Sequence, residues 1–402
     1  MQYPLLSVAV TLAVSFSQTA EVCAWLSSHA QNAANLYRRP FPVSKLGVGD
    51  RQGSTTGRCV RVLASSTDST EASFPRRKGI VDRSTLTLLE HINLNAPSHE
   101  HIVPFYFGLL GCGLDPRKAA NLSPNAPKQT LWANCGASQF HLPYGDPAQT
   151  LPGQIGLRFE SLEGLKNRLD DFRSSYVTAE HGKDKALGQD YIRIVDHYGN
   201  VFMCRAKSGS GDPTRWRQPI IPLNAKEEWG EIATNYGRLE TECKGIDYVE
   251  FDCPKGTASK IALFYESVLD ATTSTHRLGD GSSIAIVAVG NVDETGRSDQ
   301  SILFRETDKT IPEYDGHHIA LYVGEAQADF EQAFKNALVA DVVWCNPRFQ
   351  DQVDSLEEAR KERQFRFKDI LDMDTGERIM ELEHELRSVE HPAWPGRSID
   401  CE

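Results

Sequence analysis

Four short stretches of this chain each place one potential metal-ligating side chain on a segment of alternating character. They are residues 89–95 (Leu-Glu-His-Ile-Asn-Leu-Asn), 154–159 (Gln-Ile-Gly-Leu-Arg-Phe), 247–252 (Asp-Tyr-Val-Glu-Phe-Asp) and 317–322 (His-His-Ile-Ala-Leu-Tyr). Successive side chains of a strand point to opposite faces, so one residue of each stretch can aim at a shared cavity. Aligned on the apolar alternation, those residues are His91, Gln154, Glu250 and His318. Imidazole, amide oxygen and carboxylate can hold a divalent cation while leaving positions for a substrate. The competing reading is structural, since a lone strand histidine is more often a hydrogen-bonded group than a ligand. His317 is expected to face away from His318 and to take no part.

The elements needed to position these residues recur in one order, strand, helix, then three strands. The first module opens with strand 87–95 and a helix near 102–110, with Pro104 in its first turn, where a missing N–H is tolerated. The second starts at Gln154, with a helix over 162–172 and strands near 174–179, 191–196 and 201–206. Residues 207–244 change character and are expected to link two halves. The third begins at Ile246, with helix 258–269, and the fourth at His318, with helix 328–338 and strands near 341–345, 365–370 and 378–387. The charged insert 351–363 is expected to be a solvated helix face. His91 and Gln154 are 63 residues apart, and Glu250 and His318 are 68 apart.

Four βαβββ modules resemble the vicinal oxygen chelate superfamily, which includes glyoxalase I, extradiol dioxygenases and fosfomycin or bleomycin resistance proteins. The resemblance spans about 86–390 and rests on the four first strands, on the run 105–111 (Phe-Tyr-Phe-Gly-Leu-Leu-Gly), on Phe264 and Tyr265, and on residues 316–321. It implies an α+β fold of two domains, 86–206 and 245–392, each a pair of modules whose sheets curl into an open cup. A tail, 393–402, would follow the second. Metal ligands come from the first and last strand of each module. The positions that match are His91, His141, Gln154 and Met203 for one cup, and Glu250, Arg305, His318 and Glu381 for the other. Glu383 and Glu385 share a face with Glu381, which leaves the choice among the three open.

The resemblance implies a divalent ion (Zn, Ni, Mn or Fe) held by a subset of His91, His141, Gln154, Glu250, His318 and Glu381. Glu250 or Glu381 would move a proton. Asn93, Arg158, Arg205 and Arg305 would contact the substrate, the arginines suiting an anion such as a carboxylate. Glu250 and Arg305 could equally form a salt bridge across their sheet. The activity expected is that of a lyase or isomerase on a small oxygenated metabolite, with an iron dioxygenase or a non-catalytic binding protein as alternatives.

Composition narrows the partners. The net charge of −12 is unevenly spread, because residues 1–80 hold nine Lys/Arg and four Asp/Glu, a net of +5, leaving about −17 on the rest. An acidic body lacks the basic stripe that nucleic-acid binding requires. Residues 4–16 form an uncharged apolar run of signal-peptide length, and 24–77 are rich in Ser, Thr, Ala and Arg, as in a transit peptide. Residues 1–80 therefore read as a two-part presequence directing the chain to a plastid, or as a signal and linker of a secreted protein, and not as part of the folded body. The mature form is expected to stay off the membrane. Nine cysteines are scattered without a Cys-x-x-Cys pair and are expected to be isolated thiols.

Overall fold

A computed structural model of the chain describes residues 80–122, 129–184, 188–206 and 216–396. The expected presequence and most of the expected C-terminal tail lie outside them. The described strands form two sheets, with helices against them, an α+β architecture.

Each of the four modules keeps the predicted order. Module 1 is β2 (Leu86–Asn93), a helical segment α1 (His99–Ile102, continuing as a π-helix Val103–Leu109), β3 (Gly113–Leu114), β4 (Leu131–Cys135) and β5 (Ser138–Leu142). Ahead of it, β1 (Ile80–Arg83) adds a strand to the far sheet. Module 2 is β6 (Gly153–Phe159), α2 (Glu163–Asp171), β7 (Tyr176–Asp184), β8 (Gln189–Asp196) and β9 (Val201–Ala206). Two short helices follow, α3 (Lys226–Trp229) and α4 (Glu231–Tyr236). Module 3 is β10 (Cys243–Pro254), α5 (Ala258–Leu269), β11 (Thr273–Arg277), β12 (Ser283–Asp293) and β13 (Ser298–Thr307). Module 4 is β14 (His318–Val323), α6 (Gln327–Val339), α7 (Leu356–Glu362), β15 (Gln364–Leu371) and β16 (Arg378–Ser388). Its strand expected at 341–345 is reduced to a single bridge, Val343 to Phe367.

The first helix departs from expectation at Pro104. Proline has no N–H to donate and crowds the carbonyl four residues back. The helix starts one turn earlier, at the Ser98 cap, and widens to the π form, where Leu110 N–H donates to Phe105 O at 2.9 Å.

In every module the first strand runs parallel to the last: β2 with β5, β6 with β9, β10 with β13, β14 with β16. The free edge of each first strand then pairs antiparallel with the first strand of another module. β2 pairs with β14, and β6 with β10. Modules 1 and 4 thus build one sheet, ordered β15-β16-β14-β2-β5-β4-β3. Modules 2 and 3 build the other, β1-β12-β13-β10-β6-β9-β8-β7, with β11 also on β12. The expected pairing of neighbouring modules within 86–206 and 245–392 is therefore corrected. All four modules present an equivalent open edge, and strand sequence does not say which two edges meet.

One continuous core, including Phe105, Phe140, Phe202, Phe264, Phe304 and Phe330, spans both sheets and the helices. The segment expected to be a linker is partly built into module 1. Ile221 is fully buried, and its N–H donates to Leu114 O at 3.0 Å. Five of the cysteines (Cys112, Cys135, Cys204, Cys243, Cys253) are buried free thiols. No helix among the described residues is long and apolar enough to cross a membrane.

Candidate functional site

The crossed pairing brings the histidines of two distant strands together. β2 and β14 lie side by side in the sheet of modules 1 and 4, with His318 opposite Asn93 and Ala320 opposite His91. His91 Nε2 and His318 Nε2 are 3.3 Å apart. From β16, parallel to β14, Glu385 brings its Oε2 to 4.0 Å from His91 Nε2 and 3.8 Å from His318 Nε2. All three residues are buried, and their donor atoms converge. A triangle with these edges has its centre about 2.2 Å from each corner, close to Zn–N and Zn–O bond lengths of about 2.0–2.2 Å.

A β-bulge aims the first of these ligands. The register of β2 on β14 passes from His91 opposite Ala320 to Leu89 opposite Leu321, so Glu90 is an inserted residue. Glu90 accepts from His91 Nδ1 at 2.6 Å, which leaves the His91 Nε2 lone pair directed at the triangle. The same Glu90 oxygen accepts from Arg387 Nη1 at 2.8 Å. Gln300, on β13 of the other sheet, satisfies the backbone at the bulge. Its Oε1 accepts from Leu89 N at 2.9 Å, and its Nε2 donates to Leu89 O at 3.2 Å.

Charged side chains surround the triangle on the same face. Glu385 is gripped by Arg366 (Nη2 to Oε2, 2.6 Å) and by Arg387. Burial opposes its ionisation, but these two guanidiniums hold its carboxyl well below the usual carboxylate range. Glu383 pairs with Arg366 at 2.9 Å and accepts from Asn346 Nδ2 at 2.9 Å, while Asp351 meets Arg366 at 3.2 Å. Burial raises Glu383 against those contacts. The histidines are pushed the other way. Burial lowers His91 to about 3 and takes His318 and His141 well below the ordinary imidazole range, so all three are neutral and able to ligate.

The donor set fits a divalent cation on two further grounds. It comprises two neutral imidazoles and one ionised carboxylate, the set that non-haem iron and zinc sites use. The connected charges are Glu90, Glu383, Glu385 and Asp351 against Arg366 and Arg387. Four carboxylates and two guanidiniums leave −2, which a divalent ion would neutralise.

His141 lies beside the triangle and not in it. Its ring stacks on His91 at 3.7 Å and on Trp132 at 4.5 Å. Gln139 Nε2 donates to Asp115 Oδ2 and Asn134 Oδ1, which turns Gln139 Oε1 toward His141 Nε2 at 3.0 Å. His141 therefore carries its proton on Nε2, and Nδ1 holds a lone pair. His141 and His318 both line a cavity of about 640 Å³ together with Asn93, Asn95, Trp132 and Phe349. Leu88, Ala137 and Tyr322 form a separate buried cluster, with Trp216 and Trp394 packed against it.

The remaining predicted residues are elsewhere. Gln154 and Glu250 face each other in the sheet of modules 2 and 3. Glu250 accepts from Arg305 Nε at 3.0 Å, the salt bridge that was the alternative to a ligand role. Met203, Tyr248, Leu278, Ile284, Ile286 and Leu303 form an apolar cluster in that sheet. Tyr248 lies on Gly156, where a Cβ would come within 2.1 Å of its ring. Arg158 pairs with Asp247 at 2.6 Å, and Arg205 lies on β9, opposite Arg158 in register. Glu381 is on the same strand as Glu385 but pairs with Lys368 at 2.6 Å and Arg378 at 3.3 Å. Gln154, Glu250 and Glu381 lie outside the His91–His318–Glu385 triangle, and none of Arg158, Arg205 and Arg305 is among the residues that line the cavity above His318. Sequence reasoning missed Glu90, Arg366 and Arg387. Glu385 was within reach of it, through the period-two run 381–385.

No protein-family model matches the sequence, and no curated protein does. Solved structures similar to this chain include a protein of Bacillus subtilis described provisionally as a dioxygenase (14% identity, TM-score 0.47, covering 77% of this chain and 87% of that one). Glyoxalase I from Zea mays is similar at 12% identity and a TM-score of 0.43, over 76% of this chain and 93% of that one. The 2,3-dioxygenase LapB from Pseudomonas sp. KL28 is similar at 14% identity and a TM-score of 0.25, over 77% and 92%. At identities of 12–14% and TM-scores below 0.5 these likenesses say nothing of what the site does.

Proposed function

We propose that this chain is a metal-dependent enzyme of the lyase or isomerase type, acting on a small oxygenated molecule in the cup of modules 1 and 4. The observation that carries this reading is the convergence of His91, His318 and Glu385 beneath an open cavity. A divalent ion held there (Zn, Ni, Mn or Fe) would act as a Lewis acid on a substrate oxygen. The chain supplies the rest. Glu90 fixes the tautomer of His91, and Arg366 with Arg387 holds Glu385 ionised. His141, with a lone pair on Nδ1 and a place on the cavity wall, can accept a hydrogen bond from the substrate. Asn93 and Asn95 offer amides that orient substrate oxygens.

Elemental analysis of the purified chain tests this. One equivalent of metal is expected in the wild type, with loss in His91→Ala, His318→Ala and Glu385→Gln, and retention in Glu250→Gln and Glu381→Gln. Absence of metal after incubation with each of the four ions, or retention in all three ligand variants, defeats the reading.

Iron dioxygenase chemistry is the second reading, favoured by the two-His-one-carboxylate set itself. Oxygen uptake by the Fe(II) form with a catechol substrate separates the two. Composition supports delivery of the chain to a plastid by residues 1–80, with secretion as the alternative, and a fluorescent fusion of those residues distinguishes them.

A further inference from the structure

The loop that follows the bridge at Val343 is built over the site. Asn346, itself buried, donates to both oxygens of Glu383 at 2.9 and 3.1 Å, and its Oδ1 accepts from Arg348 N at 2.9 Å. Phe349 stands edge-on to His318, with ring centroids 6.0 Å apart, and its face carries the Arg366 guanidinium at 4.3 Å. Between these two anchors Arg348 is one of the residues that line the cavity. Its guanidinium lies against Gly316, two residues before His318. Gly316 has φ +89°, and a Cβ there would sit 3.0 Å from Arg348 Nη2.

Lys118 lines the same cavity from module 1, over the face of Trp132 at 4.7 Å. Arg117 lies over that ring too, but it is committed to Asp115 at 2.6 Å. Neither Lys118 nor Arg348 forms an ion pair among the described residues. Two acids also line the cavity. Asp315 is engaged by His317 Nδ1 at 2.6 Å and by the N–H groups of His317 and Thr150. Asp146 is exposed.

With a divalent ion offsetting the −2 of the buried charges, the metal centre supplies no surplus charge for an anionic ligand. That charge is available on Arg348 and Lys118. We infer that the ligand of this cup is a carboxylate with an oxygen donor on a neighbouring carbon, its carboxylate recognised by Arg348 and Lys118. A guanidinium suits a carboxylate because its parallel N–H groups match the two oxygens. This inference rests on the metal-site reading above for the second oxygen and on the two cations alone for the charge.

The probes are 2-hydroxybenzoate and its neutral amide, 2-hydroxybenzamide, titrated calorimetrically into the zinc-loaded full-length chain. Wild type is expected to bind the anion at least tenfold tighter than the amide. That ratio should fall below threefold in Arg348→Met and drop measurably in Lys118→Met, with metal content unchanged in both. Equal binding of the two probes, no binding of 2-hydroxybenzoate, or a preference that survives both substitutions overturns the inference. Metal-stripped wild type keeps the readings apart, because loss of the ion should weaken both probes while the preference for the anion remains. Failure of the metal reading shows in metal content, and failure of this one in the charge preference.

Discussion

His91 Nδ1 lies 2.6 Å from the carboxylate of Glu90, its immediate predecessor in the chain. Consecutive residues of a regular strand point to opposite faces, so this contact depends on the bulge that inserts Glu90 into β2. The bulge turns a solvent-or-core alternation into a ligand with its own hydrogen-bonded carboxylate.

Glu90→Gln should weaken metal binding by about 10–100-fold, the usual effect of losing a carboxylate behind a ligating histidine. Chelator competition measures the affinity. The imidazole ¹⁵N shifts of His91 should show that its proton is no longer confined to Nδ1. Unchanged affinity together with unchanged shifts would remove Glu90 from any positioning role.

Gln300→Leu should destabilise the fold and disturb the site although Gln300 touches no ligand. It strands the N–H of Leu89, at a cost of about 1–3 kcal/mol when buried without a partner, while the Leu89 C=O keeps the Ser138 hydroxyl as a donor at 2.9 Å. Urea denaturation reads the loss. A variant as stable as wild type, with full metal affinity, would show that the bulge holds without its clamp.

Glu250→Gln should leave metal content intact yet lower stability, because it leaves the Arg305 guanidinium without its buried carboxylate. Breaking one side of such a pair costs about 3 kcal/mol. Metal loss in this variant, with His318→Ala unaffected, would instead place the site in the sheet of modules 2 and 3.

Stability should fall steeply as pH drops from 6.5. Burial lowers His391 to about 4 and His384 to about 3, and it depresses His91, His141 and His318 as well. An unfolded imidazole binds its proton near pH 6.5, so unfolding takes up protons between that pH and the depressed native values. The stabilising contribution is complete above 6.5 and is lost as pH falls toward 4. Each imidazole adds about 1.4 kcal/mol per pH unit in that window. Urea midpoints measured from pH 7 to 4.5 check this, and His391→Gln should reduce the slope by nearly one proton. A flat profile would contradict the burial of these rings.

Much of the architecture was legible because it is local. Period-two alternation marked the strands carrying His91 and His318, and helical periodicity placed α5 over 258–269. Pro104 was read as a first-turn proline, whereas its missing N–H is absorbed by a π segment, a choice that depends on how Phe105, Tyr106 and Phe107 pack. The faces of Asn93, His141 and Glu385 followed from alternation. The face of Glu90 did not, since a bulge depends on the partner strand and on Gln300 across the core.

By itself, the sequence determined four βαβββ modules and the side chains each one directs to its sheet face. Which modules meet was decided only by the tertiary structure. Each first strand spends one edge within its module and leaves the other free, and four equivalent edges can close in more than one way. The closure of β2 on β14 puts His91 and His318, 227 residues apart, 3.3 Å from each other, with Glu385 beside both. The closure of β6 on β10 places Gln154 opposite Glu250, whose carboxylate is held by Arg305.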